Sequence, residues 1–177
     1  VPKRRTVLPL RSRCLPVHRT FAMASTHARE EDESKGDAPE ARDVHGETAF
    51  HHACLKGDPQ SIAELAKAGC DTAAKSNDGG TGLMKAAFAG RCGAGKAVLA
   101  VGAAELEARD VCGRTAFLHA CLAGDPECIA ELVKAGCNTT ATTNDGVTGL
   151  MEAAFTGVAE AVRVVLLLDR TEAEARD

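Results

Sequence analysis

The sequence predicts an all-α solenoid of four helix-turn-helix units with β-hairpin loops, preceded by a disordered N-terminal segment. Three observations support this prediction. The chain repeats itself at a fixed interval from about residue 42 onward, and each interval contains two stretches with apolar residues at helical spacing. Residues 1–42 contain no such pattern. With 177 residues the chain is long enough to bury a core.

The internal repetition can be read directly from the sequence. Residues 109–117 (RDVCGRTAF) restate residues 42–50 (RDVHGETAF) at an offset of 67. The sequence LMEAAF at 150–155 restates LMKAAF at 83–88 at the same offset. Each long unit divides again, because the threonines that open the motif stand at 48, 81, 115 and 148. Four repeats of about 33 residues follow, and we place them at residues 43–75, 76–109, 110–142 and 143–177.

The first helix of each repeat is predicted by apolar spacing and a terminating glycine. Phe50, Ala53 and Cys54 stand at i, i+3 and i+4, so they share one face of a helix that Gly57 ends. Asp58 then supplies an N-cap for a second helix. The apolar stripe of that helix consists of Ile62, Leu65 and Ala66. Each repeat is therefore expected to be a helical hairpin.

These repeats resemble the ankyrin repeat family, whose unit reads approximately D-x-x-G-x-T-P-L-H-x-A-A-x-x-G, followed by a second helix and G-A-D. The residues of the first repeat that match are Asp43, Gly46, Thr48, Phe50, His51, Ala53, Gly57, Gly69 and Asp71. The resemblance covers residues 41–177. The motif proline is replaced by Ala49, Gly82, Ala116 and Gly149. The resemblance implies a binding module that holds a partner protein on its hairpin tips and concave face, with no catalytic site, cofactor or metal.

Residues 1–42 are expected to be a disordered leader, because they mix Pro, Ser, Arg and Glu without an apolar period. The first 29 residues contain seven basic and no acidic residues, which is typical of an organellar transit peptide. The chain begins with Val1, and Met23 offers an alternative start. Residues 1–22 are thus either targeting sequence, with import into an organelle, or untranslated upstream sequence of a cytoplasmic protein.

The charge and composition of the repeats exclude several classes of function. From Asp43 onward there are 19 acidic and 12 basic residues, a net charge of −7, which disfavours nucleic-acid binding. The longest apolar run, residues 164–168, is far shorter than the roughly 18 residues of a membrane-spanning helix. Eight cysteines without CxxC spacing fit a reduced intracellular protein better than a disulfide scaffold.

Two alternative functions remain open. The segment from Gly90 to Lys96 fits G-x-x-x-x-G-K, the opening of a nucleotide-binding P-loop. It lacks the final hydroxyl residue, since Ala97 follows, and the repeat alignment places a helix before it where a P-loop needs a strand. The second alternative is a fragment of a larger protein whose activity lies outside this chain. Residues 174–177 (EARD) restate residues 107–110, so further repeats are expected beyond Asp177.

The cysteines and histidines fit structural roles. The cysteines at 54, 70, 121 and 137 occupy slots that other repeats fill with alanine. Cys112, on a predicted hairpin tip, is the candidate for an accessible thiol. His51 matches the helix-start histidine of the family, whereas His52 and His119 share a register on the opposite face. No nucleophile is placed beside them, which favours surface histidines over catalysis.

Two sets of residues are expected to contact a partner. The hairpin tips contribute Val44, His45, Glu47, Asn77, Gly80, Val111, Cys112, Arg114, Asn144 and Val147. Positions two, five and six residues beyond each inward-facing Phe50 equivalent face outward on the first helices. These positions contribute His52, Leu55, Lys56, Lys85, Phe88, His119, Leu122, Glu152, Phe155 and Thr156.

An apolar row runs along these outward positions, formed by Leu55, Phe88, Leu122 and Phe155. If the row is exposed, it forms an interface patch with Phe88 and Phe155 as anchors. If neighbouring repeats cover it, the four side chains belong to the core and the charged positions and tips carry the binding. The sequence leaves both interpretations open.

We predict that the second helix of the second repeat is the least stable element of the stack. Gly95 aligns with Ile62, Ile129 and Val162, and Arg91 stands where other repeats have the capping Asp58 or Asp125. An interior glycine costs about 1 kcal/mol relative to alanine, and a lost cap costs about as much. In hydrogen-exchange mass spectrometry, residues 92–101 should exchange faster than residues 126–135. Equal or slower exchange would contradict this ranking.

Overall fold

The computed structural model describes residues 40–102 and 105–174, with side chains as far as residue 168. This part of the chain contains eight helices and no strands, in pairs as the repeat pattern predicts. In chain order they are α1 (Ala49–Lys56), α2 (Pro59–Lys67), α3 (Gly82–Phe88), α4 (Cys92–Ala100), α5 (Ala116–Ala123), α6 (Pro126–Lys134), α7 (Gly149–Thr156) and α8 (Ala159–Glu174). The all-α solenoid is thus confirmed, whereas most of the expected leader, residues 1–39, lies outside the described residues.

Capping side chains set the helix starts. Thr48, Thr81, Thr115 and Thr148 are the N-cap residues of the four first helices. Asp58 and Asp125 cap α2 and α6, each accepting hydrogen bonds from two backbone amides of the first turn. These are the starts that the Asp-Pro pairs predict, since the proline follows at the first helical position.

The loops between repeats are tight turns. Each tip is closed by a backbone hydrogen bond of 3.0 Å spanning four residues, such as the bond from the Asp110 amide to the Arg114 carbonyl. Within the described residues the only β-pairing is an isolated bridge between Thr142 and Thr148. Arg42 donates 2.7 Å to the Lys75 carbonyl, so residues that the sequence assigns to the end of the leader already contact the first repeat.

A close contact between phenylalanine and glycine joins the repeats in pairs. Phe50 and Phe117 are fully buried. A Cβ atom at Gly82 would lie 2.6 Å from the ring of Phe50, and one at Gly149 would lie 2.6 Å from the ring of Phe117. The replacement of the motif proline by glycine in the second and fourth repeats therefore makes room for the preceding phenyl ring.

Helix α4 lacks the features that stabilise its equivalents. Its N-cap, Arg91, makes no side-chain capping hydrogen bond. A Cβ atom added at Gly95 would meet no atom within 4 Å, whereas Ile62 and Ile129 at the same register are fully buried. An apolar gap lies beside Gly95, bounded by Leu83, Ala87, Cys92, Lys96, Leu99, Cys128, Glu131 and Leu132.

Two glycine substitutions should have opposite effects. We expect Gly95→Ala to raise the free energy of unfolding by about 0.5–1 kcal/mol, because the methyl group enters open space in a helical segment. Gly82→Ala should lower it by about 1–3 kcal/mol, since the methyl group collides with Phe50. Urea unfolding of the two variants measures both changes. A loss of stability in Gly95→Ala would show that the gap is not available to a side chain.

Candidate functional site

The hairpin tips present two highly exposed apolar side chains of the predicted surface. Val44 is 88% exposed and Val111 is 66% exposed. The tips are tied to one another, because Asn77 Nδ2 donates 3.2 Å to the Val44 carbonyl and Asn144 Nδ2 donates 3.1 Å to the Val111 carbonyl. Asn77 and Asn144 thus connect neighbouring tips, and the two valines project beyond them.

The predicted partner residues fall into three groups by exposure. The exposed residues are Val44, His45, His52, Lys56, Asn77, Phe88, Val111, Asn144 and Phe155. The partly buried residues are Glu47, Leu55, Lys85, Cys112, Arg114, His119, Val147 and Thr156. The buried residues are Gly80, Leu122 and Glu152.

The apolar row is divided by the structure. Phe155 is 67% exposed and Phe88 is 37% exposed, whereas Leu122 is only 9% exposed and Leu55 is partly buried. Neither sequence interpretation describes all four residues, because the two phenylalanines are exposed and the two leucines are buried or partly buried. Phe88 and Phe155 remain candidate anchors of an interface, whereas the Leu122 side chain is buried.

Phe88 takes part in a small cluster at the tip of the third repeat. Its ring packs edge-on against the His119 ring, with centroids 5.9 Å apart. His119 Nε2 lies 2.9 Å from Asp110 Oδ2, and Asp110 is followed by the exposed Val111. We call Phe88, Asp110, Val111 and His119 the tip patch. Burial raises the pKa of Asp110, but hydrogen bonds from His119 and the Arg114 amide outweigh it and leave the pKa lowered.

Charged residues beside the tip patch form ion pairs across repeats. Lys85 Nζ lies 2.7 Å from Glu47 Oε1 and 3.1 Å from Asp78 Oδ2. Burial by itself raises the pKa of Asp78, but the hydrogen bonds from Ser76 and Gly80 and the ion pair with Lys85 lower it to about 2. Glu47 and Lys85 are therefore engaged within the stack.

The third and fourth repeats are joined by the equivalent ion pair with the charges exchanged. Arg114 Nε lies 3.1 Å from Glu152 Oε1, and these residues stand 67 positions after Glu47 and Lys85. Glu152 is buried, and its carboxylate is paired with Arg114. The sequence contained this signal, because both members of the pair change sign together. The repeat pattern instead assigned Glu47 and Arg114 to the hairpin tips and Lys85 and Glu152 to the outward face of the first helices.

His51, the first of two adjacent histidines, has a structural role. His51 is buried, its Nδ1 accepts a 3.2 Å hydrogen bond from the Thr48 amide, and its Nε2 donates 3.2 Å to the Gly80 carbonyl. Burial lowers the pKa of His51. The next residue, His52, is exposed and pairs with Asp43 at 3.1 Å.

Asp43, Glu47 and His52 bring three groups of the kind that bind metals within 4.8 Å of one another. Intramolecular contacts account for this arrangement. Lys85 neutralises Glu47, and Asp43 Oδ1 accepts the amides of His45 and Glu47, each at 2.8 Å. We therefore assign no ion to the cluster.

The segment from Gly90 to Lys96 does not have the strand-loop-helix geometry of a P-loop. It begins at the end of α3 and continues into α4, so most of its amides belong to helical turns. Lys96 Nζ lies 2.8 Å from Glu127 Oε1. The lysine thus connects α4 to α6.

The structure defines a stack of helical hairpins with an exposed tip surface. A family model described as ankyrin repeats (3 copies) matches residues 83–177, just over half of the chain, and the chain belongs to the ankyrin repeat family. Ankyrin repeats are generally protein-protein interaction modules. No curated protein sequence matches the chain. None of the helices described by the structure is long and apolar enough to cross a membrane.

A charge-exchange experiment should show that the buried pair is structural. Glu152→Lys places an ammonium beside Arg114, and we expect a loss of about 1–3 kcal/mol in the free energy of unfolding. Adding Arg114→Glu recreates the Glu47–Lys85 arrangement and should recover most of the loss. Urea denaturation of both single variants and the double variant gives the coupling free energy. Additive losses, with no recovery, would mean that the two side chains do not interact.

Proposed function

We propose that this chain is a non-enzymatic protein-protein interaction module, or scaffold, that binds its partner through the tip patch and the neighbouring hairpin tips. The observation that carries the proposal is the exposure of Phe88 and Val111 on either side of the His119–Asp110 pair. Exposed aromatic and branched side chains held by a rigid neighbour are typical anchors of binding surfaces.

Other predicted partner residues that are exposed support a larger binding surface. Val44 extends it to the first tip, and Phe155, which is 67% exposed, extends it along α7. Met151, which is not among the partner residues expected from the sequence, is 57% exposed on the same helix. His45, His52 and Lys56 supply polar positions beside the apolar ones. Interfaces of this kind combine a few apolar anchors with a polar rim.

The charge of the repeats indicates the chemistry of the partner. A net charge of −7 from Asp43 onward favours a partner with an excess of lysine and arginine, because complementary charge accelerates encounter. Glu47, Lys85, Arg114 and Glu152 are paired with one another, so they contribute less to this attraction than the unpaired surface carboxylates. We place the protein inside the cell, in the cytoplasm unless residues 1–29 direct import into an organelle.

The nucleotide-binding alternative receives no support from the geometry. The amides that would surround a phosphate are part of α4, and Lys96 is paired with Glu127. That Cys112 is an accessible thiol stays a prediction, and it is compatible with the binding proposal. This cysteine lies on the third hairpin tip and is partly buried.

Truncating the tip patch should abolish partner binding without unfolding the stack. The test variant is Phe88→Ala with Val111→Ala, and the matched control is Val101→Ala with Leu166→Ala, which truncates exposed apolar residues of the second helices. Quantitative affinity capture with each protein as bait should yield a partner retained by the wild type and the control and reduced at least tenfold with the test variant. Loss of two central anchors corresponds to roughly 2 kcal/mol or more.

Titration of the purified partner into each bait, together with the melting temperature, completes the test. Equal affinity of the test variant and the control would refute the tip patch as the binding surface. A test variant that melts markedly earlier than the wild type would place Phe88 in the fold and not in the interface.

A further inference from the structure

Two cysteines from different repeats meet at the junction of the second and third repeats. Cys92 is the first residue of α4, and Cys128 lies in the first turn of α6. Both are free cysteines, and both line the apolar gap beside Gly95. The two residues are 36 positions apart in the sequence and have no motif spacing, so only the stacking of the helices brings them together.

The surroundings of the two thiols differ. Cys92 is partly exposed, and its thiol lies close to the Glu127 carboxylate and to the Cys128 thiol, which lines the same gap. Cys128 is 4% exposed and interacts with Asp125, the N-cap of its own helix. A reagent in solution therefore reaches Cys92 first, and Cys128 lies next to it as the second thiol.

We infer that Cys92 and Cys128 are an oxidation site at which a peroxide forms a reversible disulfide between α4 and α6. In the first step Cys92 attacks the peroxide, its sulfur becomes a sulfenic acid and one water leaves. The Cys128 sulfur then displaces the hydroxyl of the sulfenic acid, which leaves as a second water after taking up the Cys128 proton. Two thiols lose two electrons and two protons, and one hydrogen peroxide becomes two waters.

The disulfide would act on the weakest helix of the stack. Helix α4 has no capping side chain, contains Gly93 and Gly95, and borders the apolar gap. Its polar link to α6 is the Lys96 ion pair with Glu127 and Glu131. A covalent bond between the two helix starts holds α4 against α6, and so stiffens the repeat that carries Phe88.

The raised pKa values of the two thiols mean that the disulfide forms under sustained and not brief exposure to peroxide. Burial raises the pKa of the Cys92 thiol, and the nearby Glu127 carboxylate raises it further. Burial and Asp125 also raise the pKa of Cys128. The thiolate is the reactive form, so little of it is present at neutral pH and brief exposure to peroxide leaves the pair reduced.

The test exposes the full chain to excess hydrogen peroxide, blocks remaining thiols and maps peptides without reduction. We expect a cross-linked peptide pair containing Cys92 and Cys128, its disappearance on treatment with dithiothreitol, and a rise of about 5 °C in the melting temperature of the oxidised protein. Amide exchange of residues 92–101 should slow in the same sample.

Three variants separate this pair from the other thiols. Cys92→Ser and Cys128→Ala should each abolish the cross-link and the rise in melting temperature, whereas Cys112→Ser, which removes a partly buried thiol on a hairpin tip, should leave both unchanged. Circular dichroism of the reduced variants checks that they fold. A fully reduced pair after prolonged peroxide treatment, separate oxidation of Cys92 without a cross-link, or a cross-link that lowers the melting temperature would each overturn the proposal.

Discussion

The contact between a buried phenyl ring and a glycine with no Cβ sets how closely the first helices pack where the first repeat meets the second and where the third meets the fourth. Phe50 occupies the space that Gly82 leaves free, and Phe117 occupies the space left by Gly149. Across the first of these contacts, Asn77 reaches the first tip and Lys85 pairs with Glu47. The same packing recurs 67 residues later, and we call the first and second repeats the first unit and the third and fourth repeats the second unit.

The exchanged ion pairs distinguish the two units from one another. Glu47 pairs with Lys85 in the first unit, and Arg114 pairs with Glu152 in the second. Stacking the wrong halves would bring Glu47 to Glu152 or Arg114 to Lys85, which are like charges in partly buried positions. The two units therefore have opposite charge order at this pair.

Both proposals concern the joint between these two units. At this joint the Phe88 ring meets His119, Lys96 reaches Glu127, and Cys92 meets Cys128. Helix α4, whose N-cap makes no side-chain hydrogen bond, lies on one side of it. The proposed binding surface on the tips and the proposed oxidation site on the second helices thus depend on the same packing. A disulfide that stiffens the second helices would also affect how the tip patch is held.

The sequence by itself determined the number of repeats, their helices and the caps that begin them. These features depend on local rules: a threonine or aspartate caps the residues that follow it, a glycine ends the helix, and apolar residues three and four apart share a face. The residues that follow these rules also carry the resemblance to the ankyrin repeat family, which the family model supports. The missing cap of α4 and its glycine in place of a branched residue could be seen by aligning the repeats.

Only the tertiary structure decided which outward positions are exposed. Leu122 and Phe88 share one register, yet the first is buried and the second is exposed, so the period of the helix does not decide which of them is exposed. The burial of Glu152 and the proximity of Cys92 to Cys128 are likewise not encoded in the period of a single helix. Contacts between residues more than 30 positions apart depend on how closely the helices stack, and no periodicity within one helix encodes that distance.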